Sequence, residues 1–392
     1  MKVNNIIDIK RQNILKIIEL IKNGEGLLKK EISERTGLSV ATVSNLCGDL
    51  KKAGLITEDY SENMDTSVGR HPKIVKLNKN SYFLICIDMH RSDEMRLVIL
   101  NLANDIVDEE YFELKDETDL SKFIKYTREL CQECCDRSNI PFEKIIGVGA
   151  AVPAIFDMTS RNTVCSNIKI LEDQPLKQIL EDVYKLPAFV YNESNLCVVS
   201  KQKNEVSSGN IAYILCSEGL GTGVIANGRV ITGYMGYAAE VCHIPIGDHS
   251  LICELCGQTG CVQSDLSISG FLSKYYNKQI PLNDIRIKQY WTEFLDKALN
   301  DYESVRPVIE KNSIIFGQLV SILVNMFDLE YVFIGGDIAP LFDKMLPFIE
   351  REVDTRRIGR GRKMPKILPD IDNNTIIIGC AEQVFRNVLP IK

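Results

Sequence analysis

The sequence lacks the segments that take a chain into or across a membrane. Its first residues, MKVNNIIDIKRQNIL, contain no uninterrupted apolar stretch followed by small residues, so they do not resemble a secretory signal. No apolar run approaches the roughly 18 residues that a membrane-spanning helix needs. We therefore expect a cytoplasmic protein that has no membrane partner.

Linkers, low-complexity tracts and visible repeats are also missing. The 392 residues are 45% hydrophobic and 25% charged, which is typical of a globular protein with two or three domains. Thirteen cysteines are an odd number, and most stand singly in apolar strings, such as Cys216 in YILCSEG. This pattern favours buried thiols in a reducing compartment over a disulfide framework.

Excess positive charge is absent from most of the chain but present at its start. Residues 1–80 contain 14 Lys and Arg against 10 Asp and Glu, whereas the rest contains 32 against 43. A basic segment on an acidic body predicts that only the first segment contacts a polyanion such as DNA.

The first eighty residues predict three helices and a hairpin. Isoleucines at helical spacing form one apolar face of the first helix, which Asn23-Gly24 ends. LLKKEISERTG predicts a short second helix ended by Gly37, and Ser39 can cap a third in SVATVSNLCGDLKKAG. GLITEDYSENMDTSVGRHPKIVKLN then reads as strand, polar tip and strand, which is a wing.

Small polar side chains are left on the outer face of the third helix. Two helices joined by a tight turn, the second starting with short polar residues, form a helix-turn-helix, which inserts into the DNA major groove. The alternative is a small helical bundle with a solvated hairpin. We predict DNA contacts at Ser39, Thr42, Ser44, Asn45 and, from the wing, Arg70.

GLSVATVSNLCGDLKKAGLI followed by GRHPKIVKLN resembles the head of the ROK family, which groups sugar-responsive repressors with sugar kinases. The likeness continues through the body, where strands such as SYFLICID and YVFIGGD alternate with helical segments. The resemblance implies an α/β fold with a winged helix-turn-helix head and a two-lobed, actin-like, sugar-kinase-like body. We place the domains at 1–80, 81–197 and 198–392, with the C-terminal helix free to pack back on the first lobe.

The loop CELCGQTGC contains three thiols that can bind one metal ion. Cys253 and Cys256 have C-x-x-C spacing, and two glycines let the chain fold back so that Cys261 joins them. ROK proteins have a zinc site of one His and three Cys in such a loop, which implies His243 as the fourth ligand. The loop has one residue more than the family pattern, so Cys242 stays as a second candidate beside Cys253. A closed set of protein ligands predicts one structural Zn²⁺ per chain.

The family's kinases carry an Asp-x-Gly-Gly-Thr phosphate loop that is missing here. The matching stretch is IDMHRSDEM, in which His90 and Arg91 stand where the glycines should be and should obstruct phosphates. The family's catalytic Asp is replaced by Glu193, which is one methylene longer. We therefore predict that the chain is not an enzyme. The alternative is an active sugar kinase with a DNA-binding head.

The family's sugar contacts fall on residues that remain polar here. They map to Asn192, Glu193, Glu240, His243 and Gln263, whose amides and carboxyls suit vicinal hydroxyls. We therefore predict a DNA-binding regulator, a repressor of carbohydrate uptake or catabolism genes, that responds to a sugar or sugar phosphate. It should bind a double-stranded operator as a homodimer or homotetramer. The alternative is a vestigial cleft and control by a protein partner.

Overall fold

A computed structural model describes residues 6–22, 24, 26–60, 73–91, 94–114, 119–166, 168–204, 209–282, 284–359, 361 and 363–390. Its α-helices are α1 (Ile6–Lys22), α2 (Lys29–Thr36), α3 (Val40–Lys52), α4 (Leu120–Arg137), α5 (Leu176–Tyr184), α6 (Glu193–Asn204), α7 (Gln263–Leu266), α8 (Ile268–Tyr275), α9 (Ile287–Asn300), α10 (Tyr302–Phe327), α11 (Phe342–Arg356) and α12 (Thr375–Val388).

The strands are β1 (Leu27–Leu28), β2 (Ile56–Tyr60), β3 (Lys73–Leu77), β4 (Phe83–Asp88), β5 (Met95–Asn101), β6 (Ile106–Phe112), β7 (Ile145–Val152), β8 (Ile155–Phe156), β9 (Thr163–Val164), β10 (Ala188–Asn192), β11 (Ile211–Cys216), β12 (Leu220–Ala226), β13 (Arg229–Val230), β14 (Tyr331–Gly335) and β15 (Lys366–Pro369).

The head consists of α1–α3 and an antiparallel sheet in the order β1-β3-β2. Gly37, at a φ of 71°, ends α2, and the Ser39 side chain caps α3, as the sequence predicts. Strands β2 and β3 form the predicted wing, whose tip lies outside the described residues. The predicted apolar face of α1 is buried in the head core.

The body contains two five-stranded sheets with one topology. In each sheet, the first three strands in the chain pair antiparallel with one another. Two later strands then pair in parallel on the free side of the first strand. The resulting orders are β10-β7-β4-β5-β6 and β13-β12-β11-β14-β15. This repetition is the internal duplication that inspection of the sequence does not reveal. We call the first sheet with α4 and α5 lobe one, and the second with α7–α11 lobe two. The domain boundaries at 80 and 197 remain our proposal.

The central strands are covered on both faces. Every residue of β4, β5 and β11 is buried, so these strands are mostly apolar in the sequence and show no alternation of polar and apolar residues. One face of the lobe one sheet packs on α4 and α5, and the other on α12, which also packs along α6. Gly149 in β7 allows this contact, because an added Cβ would collide with Cys380 of α12.

Helix α10 is, by length and composition alone, apolar enough to cross a membrane, and no other helix in the described part of the chain meets that test. It contacts α8, α9 and α11, and residues such as Phe316 and Leu319 are fully buried in the lobe two core. The apolar composition of α10 is therefore explained by packing within the protein.

Candidate functional sites

The outer surface of α3 carries the predicted DNA-contacting side chains. Ser39 Oγ accepts the backbone N–H of Thr42 at 3.1 Å and lies 2.8 Å from Thr42 Oγ1. Asn45 is exposed, and Thr42 and Ser44 are half-buried. Ser39 and Thr42 thus engage one another at the start of the helix. Arg70 lies outside the described residues.

A buried ion pair joins the head to the body. Lys22, in the last turn of α1, contacts the carboxylate of Glu382 in α12, and the two side chains are 7% and 5% exposed. Asn104, in the turn between β5 and β6, accepts a hydrogen bond from Lys22 Nζ at 2.9 Å and donates one to Glu382 Oε1 at 2.8 Å. Lys22, Asn104 and Glu382 therefore connect the head, lobe one and α12 through one hydrogen-bonded cluster.

Two further contacts fasten α1 along α12. Arg11 donates to the backbone carbonyls of Arg386 and Asn387, at 2.6 and 2.8 Å, near the C-terminal end of α12. Arg386 in turn pairs with Glu19 at 3.0 Å. The residues in these contacts are more than 360 positions apart in the chain, and nothing in their local sequence predicts them.

Four predicted metal ligands lie together in the loop of residues 243–261, the metal loop. The nearest ligand atoms of His243, Cys253, Cys256 and Cys261 all lie within 4.8 Å of one another. Cys253 Sγ is 3.8 Å from His243 Nδ1, and Cys256 Sγ is 3.4 Å from Cys261 Sγ. Ligands about 2.3 Å from a tetrahedral zinc ion stand roughly 3.8 Å apart, so this cluster fits a closed four-coordinate site.

Cys242 lies outside this cluster. Its Sγ is 3.6 Å from Glu240 Oε2, and the thiol is buried. Cys253, not Cys242, therefore stands with the other three ligands in the structure.

The metal loop is anchored to lobe two through Asp265. This carboxylate is fully buried, accepts the backbone N–H of Asp248 at 2.8 Å and forms an ion pair with Lys274 of α8. Lys274 also donates to Asn312 of α10 at 2.6 Å. The loop is thereby held against two core helices independently of any ion.

A cavity of about 590 Å³ lies between the two lobes, beside the metal loop. All the sugar-binding residues predicted from the sequence line it, namely Asn192, Glu193, Glu240, His243 and Gln263. Its volume falls within the range of small-molecule sites. Asn192 and Gln263 both line this cavity although they are 71 positions apart in the sequence.

Asn192 and Glu193 use their side chains differently in this wall. Asn192 Oδ1 accepts the backbone N–H groups of Ser194 and Asn195, at 3.0 and 3.3 Å, and so caps α6. Glu193 is 8% exposed, and its Oε2 has no hydrogen-bond partner in the described residues. Burial raises the pKa of Glu193 to about 8. A buried carboxyl with an unpartnered oxygen at a cavity wall is an unfilled hydrogen-bonding position.

The loop that follows β4 carries ion pairs where the family's kinases have glycines. His90 Nδ1 lies 2.7 Å from Asp88 Oδ1. Burial lowers the pKa of His90 and the Asp88 carboxylate raises it, with a net shift upward. Arg91 donates to both oxygens of Asp337 in lobe two, at 2.9 and 3.1 Å.

Arg91 thus spans the two lobes. It lines both the 590 Å³ cavity and a second cavity of about 450 Å³ between the lobes, which also contains Asp88 and Asp370. The sequence predicts an obstruction at this loop but not its partner, because Asp337 follows a strand 246 residues away.

Comparison with known sequences identifies both parts of the chain. The family model described as ROK family matches residues 84–382, and the model described as winged helix-turn-helix DNA-binding matches residues 10–57. The xylose repressor of Caldicellulosiruptor bescii is 25% identical over 97% of this chain and 97% of its own length. The DNA-binding transcriptional dual regulator NagC of Escherichia coli (strain K12) is 24% identical over 96% of this chain and 93% of its own length.

Solved structures share the fold. A ROK family transcriptional regulator, described as a homolog of the E. coli MLC protein, superposes with a TM-score of 0.79 at 18% identity and covers 97% of this chain and 98% of its own. A ROK hexokinase from Thermus thermophilus superposes with a TM-score of 0.62 at 18% identity, covering 78% of this chain and 99% of its own. The regulator matches head and body, whereas the kinase spans a smaller share of this chain.

Proposed function

Because this chain belongs to the ROK family and carries a winged helix-turn-helix DNA-binding head, we propose that it represses carbohydrate uptake or catabolism genes under the control of a sugar. The observation that carries the proposal is the polar cavity beside Glu193. Glu193 begins α6, and α6 packs on α12, the helix to which the head is attached. We propose that the protein acts in the cytoplasm. The full-length relatives that are named as a xylose repressor and as a transcriptional regulator support this choice over an enzyme.

The head is proposed to read a pseudo-palindromic operator as part of a homodimer or homotetramer. Ser39, Thr42, Ser44 and Asn45 would face the major groove, with Arg70 reaching from the wing. Two heads related by a two-fold axis require two half-sites related by the same axis. A lysine or arginine that neutralises one phosphate adds about 0.9 to the slope of log affinity against log salt. Arg70→Ala should therefore weaken DNA binding and lower that slope by about one.

The cavity is proposed to hold one sugar. Glu193 supplies a buried carboxyl, Glu240 an exposed one and Gln263 a buried amide, so the wall can both accept from and donate to hydroxyl groups. The unpartnered Glu193 Oε2 gives a bound hydroxyl a position that nothing else in the described residues fills. Asn192 is proposed to act through its NH₂ group, since its Oδ1 already caps α6.

A sugar at Glu193 can act on the head through two tightly packed helices. Glu193 is the first residue of α6, and Leu196, three residues on, lies so close to Gly379 of α12 that a Cβ there would collide with the Leu196 carbonyl. Glu382 follows Gly379 by less than one turn and pairs with Lys22 of the head. A movement of α6 therefore displaces α12 and, with it, α1. The effector alters DNA affinity only if it binds one of the two arrangements more tightly.

The metal loop is proposed to hold one structural Zn²⁺ through His243, Cys253, Cys256 and Cys261. When bound, the ion supplies no reaction step, because all four positions are taken by protein ligands. His243 lies against Cys253 through Nδ1 and also lines the cavity. The loop thereby fixes the orientation of an imidazole at the sugar site.

A sugar kinase is the second candidate, and Glu193 favours it. A carboxyl whose burial raises its pKa to about 8 suits a general base near neutral pH. Against this stands the Arg91–Asp337 ion pair, which occupies the interlobe position beside the loop where the family's kinases bind phosphate. We therefore propose that the chain does not transfer phosphate. A coupled assay with ATP, magnesium and a panel of monosaccharides tests this, and sugar-dependent ADP release at enzymatic rates refutes it.

The decisive experiment measures operator binding and sugar binding on the same full-length protein. We expect a sugar from a panel of monosaccharides and N-acetylated sugars to bind and to change operator affinity by about 5- to 150-fold. Glu240→Gln should weaken sugar binding and leave sugar-free operator binding unchanged. The exposed Glu113→Gln, which does not line the cavity, is the matched control. If no sugar binds at millimolar concentration, control by a protein partner replaces this proposal.

A further inference from the structure

The wall of the interlobe cavity is rich in carboxyl groups. Five glutamates line it: Glu193 is buried, Glu218 is half-buried, and Glu172, Glu240 and Glu254 are exposed. Among the lining residues, Arg91 is cationic, the imidazoles of His90 and His243 are the other basic groups, and lysine is absent from the described lining.

Each of these three basic groups already faces a partner. Arg91 makes two hydrogen bonds to Asp337 and lies 4.0 Å from Glu218, and His90 is paired with Asp88. His243 stands among the thiols of the metal loop. A phosphate group entering the cavity therefore meets a cation only by competing with a carboxylate or a thiolate for it.

The backbone donors at the start of α6 offer a phosphate no better position. Helix α6 begins at the cavity wall, and a free helix N-terminus is a common anion site. Here the Asn192 side chain already accepts the N–H groups of Ser194 and Asn195, and Glu193 sits in the first turn. The N-terminus of α6 thus carries its own capping oxygen and its own carboxyl.

We infer that the effector is an unphosphorylated, uncharged sugar, and that Glu193 and Glu240 select it against the corresponding sugar phosphate. This inference rests on the proposed sugar-controlled function and narrows it to one class of ligand. A protonated carboxyl donates a hydrogen bond to a hydroxyl and accepts another, so the buried carboxyl of Glu193 suits a neutral sugar. A dianionic phosphate instead adds negative charge to a wall in which Arg91 and His90 are already paired with carboxylates.

The first test compares matched ligands by calorimetry on the full-length protein. Glucose and N-acetylglucosamine are each paired with their 6-phosphates, and xylose is included alone. We expect any neutral sugar that binds to do so at least tenfold more tightly than its phosphate. Glu240→Gln should narrow that ratio, whereas Glu113→Gln should leave it unchanged. A sugar phosphate that binds as tightly as its neutral partner, or more tightly, overturns the inference.

The second test measures the charge of the wall without any sugar. Cys165 lines the cavity and is exposed, and the other cysteine of this chain that is exposed in the structure, Cys256, is in the metal cluster. Thiosulfonate reagents of equal size with a cationic or an anionic group modify Cys165 at rates that reflect the local potential, and intact mass spectrometry with peptide mapping identifies the site. The ratio of rates cancels any change in the reactivity of the thiol itself.

We expect the cationic reagent to modify Cys165 at least tenfold faster than the anionic one, relative to the ratio for a free thiol in the same buffer. Equal relative rates overturn the inference directly. If the cationic reagent is strongly preferred but no sugar binds, the cavity wall is negatively charged as inferred, and the sugar-controlled function is overturned instead. The two proposals therefore fail in different assays.

Discussion

The ion pair between Lys22 and Glu382 gives the sharpest prediction for the link between head and body. Replacing Lys22 by Met removes the cation and leaves a carboxylate that is 5% exposed. At an effective dielectric constant of about 20, opposite charges about 4 Å apart attract by about 4 kcal/mol. Removing one partner of a buried pair costs about 3–5 kcal/mol, because the other charge stays buried without compensation. We expect Lys22→Met to destabilise the head–body junction by that amount.

Hydrogen–deuterium exchange resolves this effect at the junction itself. A loss of about 3 kcal/mol corresponds to roughly 150-fold faster exchange through local opening, provided that the amides exchange by opening of the junction. Amides in the second half of α1 and the facing part of α12 should show it, while the lobe two core around the single tryptophan, Trp291, should not. The double variant Lys22→Met with Glu382→Leu should return most of the protection, since no charge then remains buried.

Lys79→Met is the matched control. Lys79 pairs with Asp105 on the same β5–β6 turn at 2.8 Å, but its side chain is 57% exposed, so its loss should cost about 0–1 kcal/mol. If Lys22→Met and Lys79→Met accelerate exchange equally, the buried pair does not hold the junction. If the double variant is as unprotected as the single one, lost packing and not an unpaired charge is the cause.

Three further predictions concern the cavity, the recognition helix and the metal loop. Burial raises the pKa of Glu193 from 4.5 to about 8, so its stabilising contribution is full below pH 4.5 and is lost as the pH rises through 8. Glu193→Gln should therefore raise the melting temperature over wild type at pH 8 and much less at pH 5; equal shifts at both values contradict this account. Gly48 lies inside α3 with no atom within 4 Å of an added Cβ, so Gly48→Ala should stabilise that helix by about 1 kcal/mol, seen as slower exchange of α3 amides, and faster exchange refutes it. Protein purified without added metal should contain about one zinc per chain by elemental analysis; Cys253→Ser should lower that content and the melting temperature, and Cys242→Ser should leave the content unchanged.

Local signals in the sequence predict the head well. Gly37 and Ser39 set the boundaries of α2 and α3 through backbone geometry and a side-chain cap, and both effects act over three or four residues. The metal ligands follow the same logic, because Cys253, Cys256 and Cys261 are close in the chain. Only His243 required the resemblance to a family.

Contacts between distant segments escape such reasoning. Lys22 is one lysine in the last turn of a helix, where a cation is common for electrostatic reasons alone, and Glu382 stands 360 positions away. The role of Asn192 is hidden for a different reason. An asparagine before a helix fits both a cap and a ligand contact, and only the structure assigns its Oδ1 to the backbone of α6.

The attachment of α1 to α12 has a consequence for how the protein is made. During synthesis, domains near the N-terminus generally fold first, but the apolar residues of the head belong to one cluster that continues into the body and α12. Its docking surface on α12 leaves the ribosome only after both lobes have been synthesised, because Arg11 contacts residues 375 and 376 positions later. A nascent or truncated chain that stops before Thr375 therefore carries a head that lacks the α12 part of its apolar cluster and its contacts with α12. Ribosome-stalled chains ended before and after α12 should differ in protease sensitivity at α1.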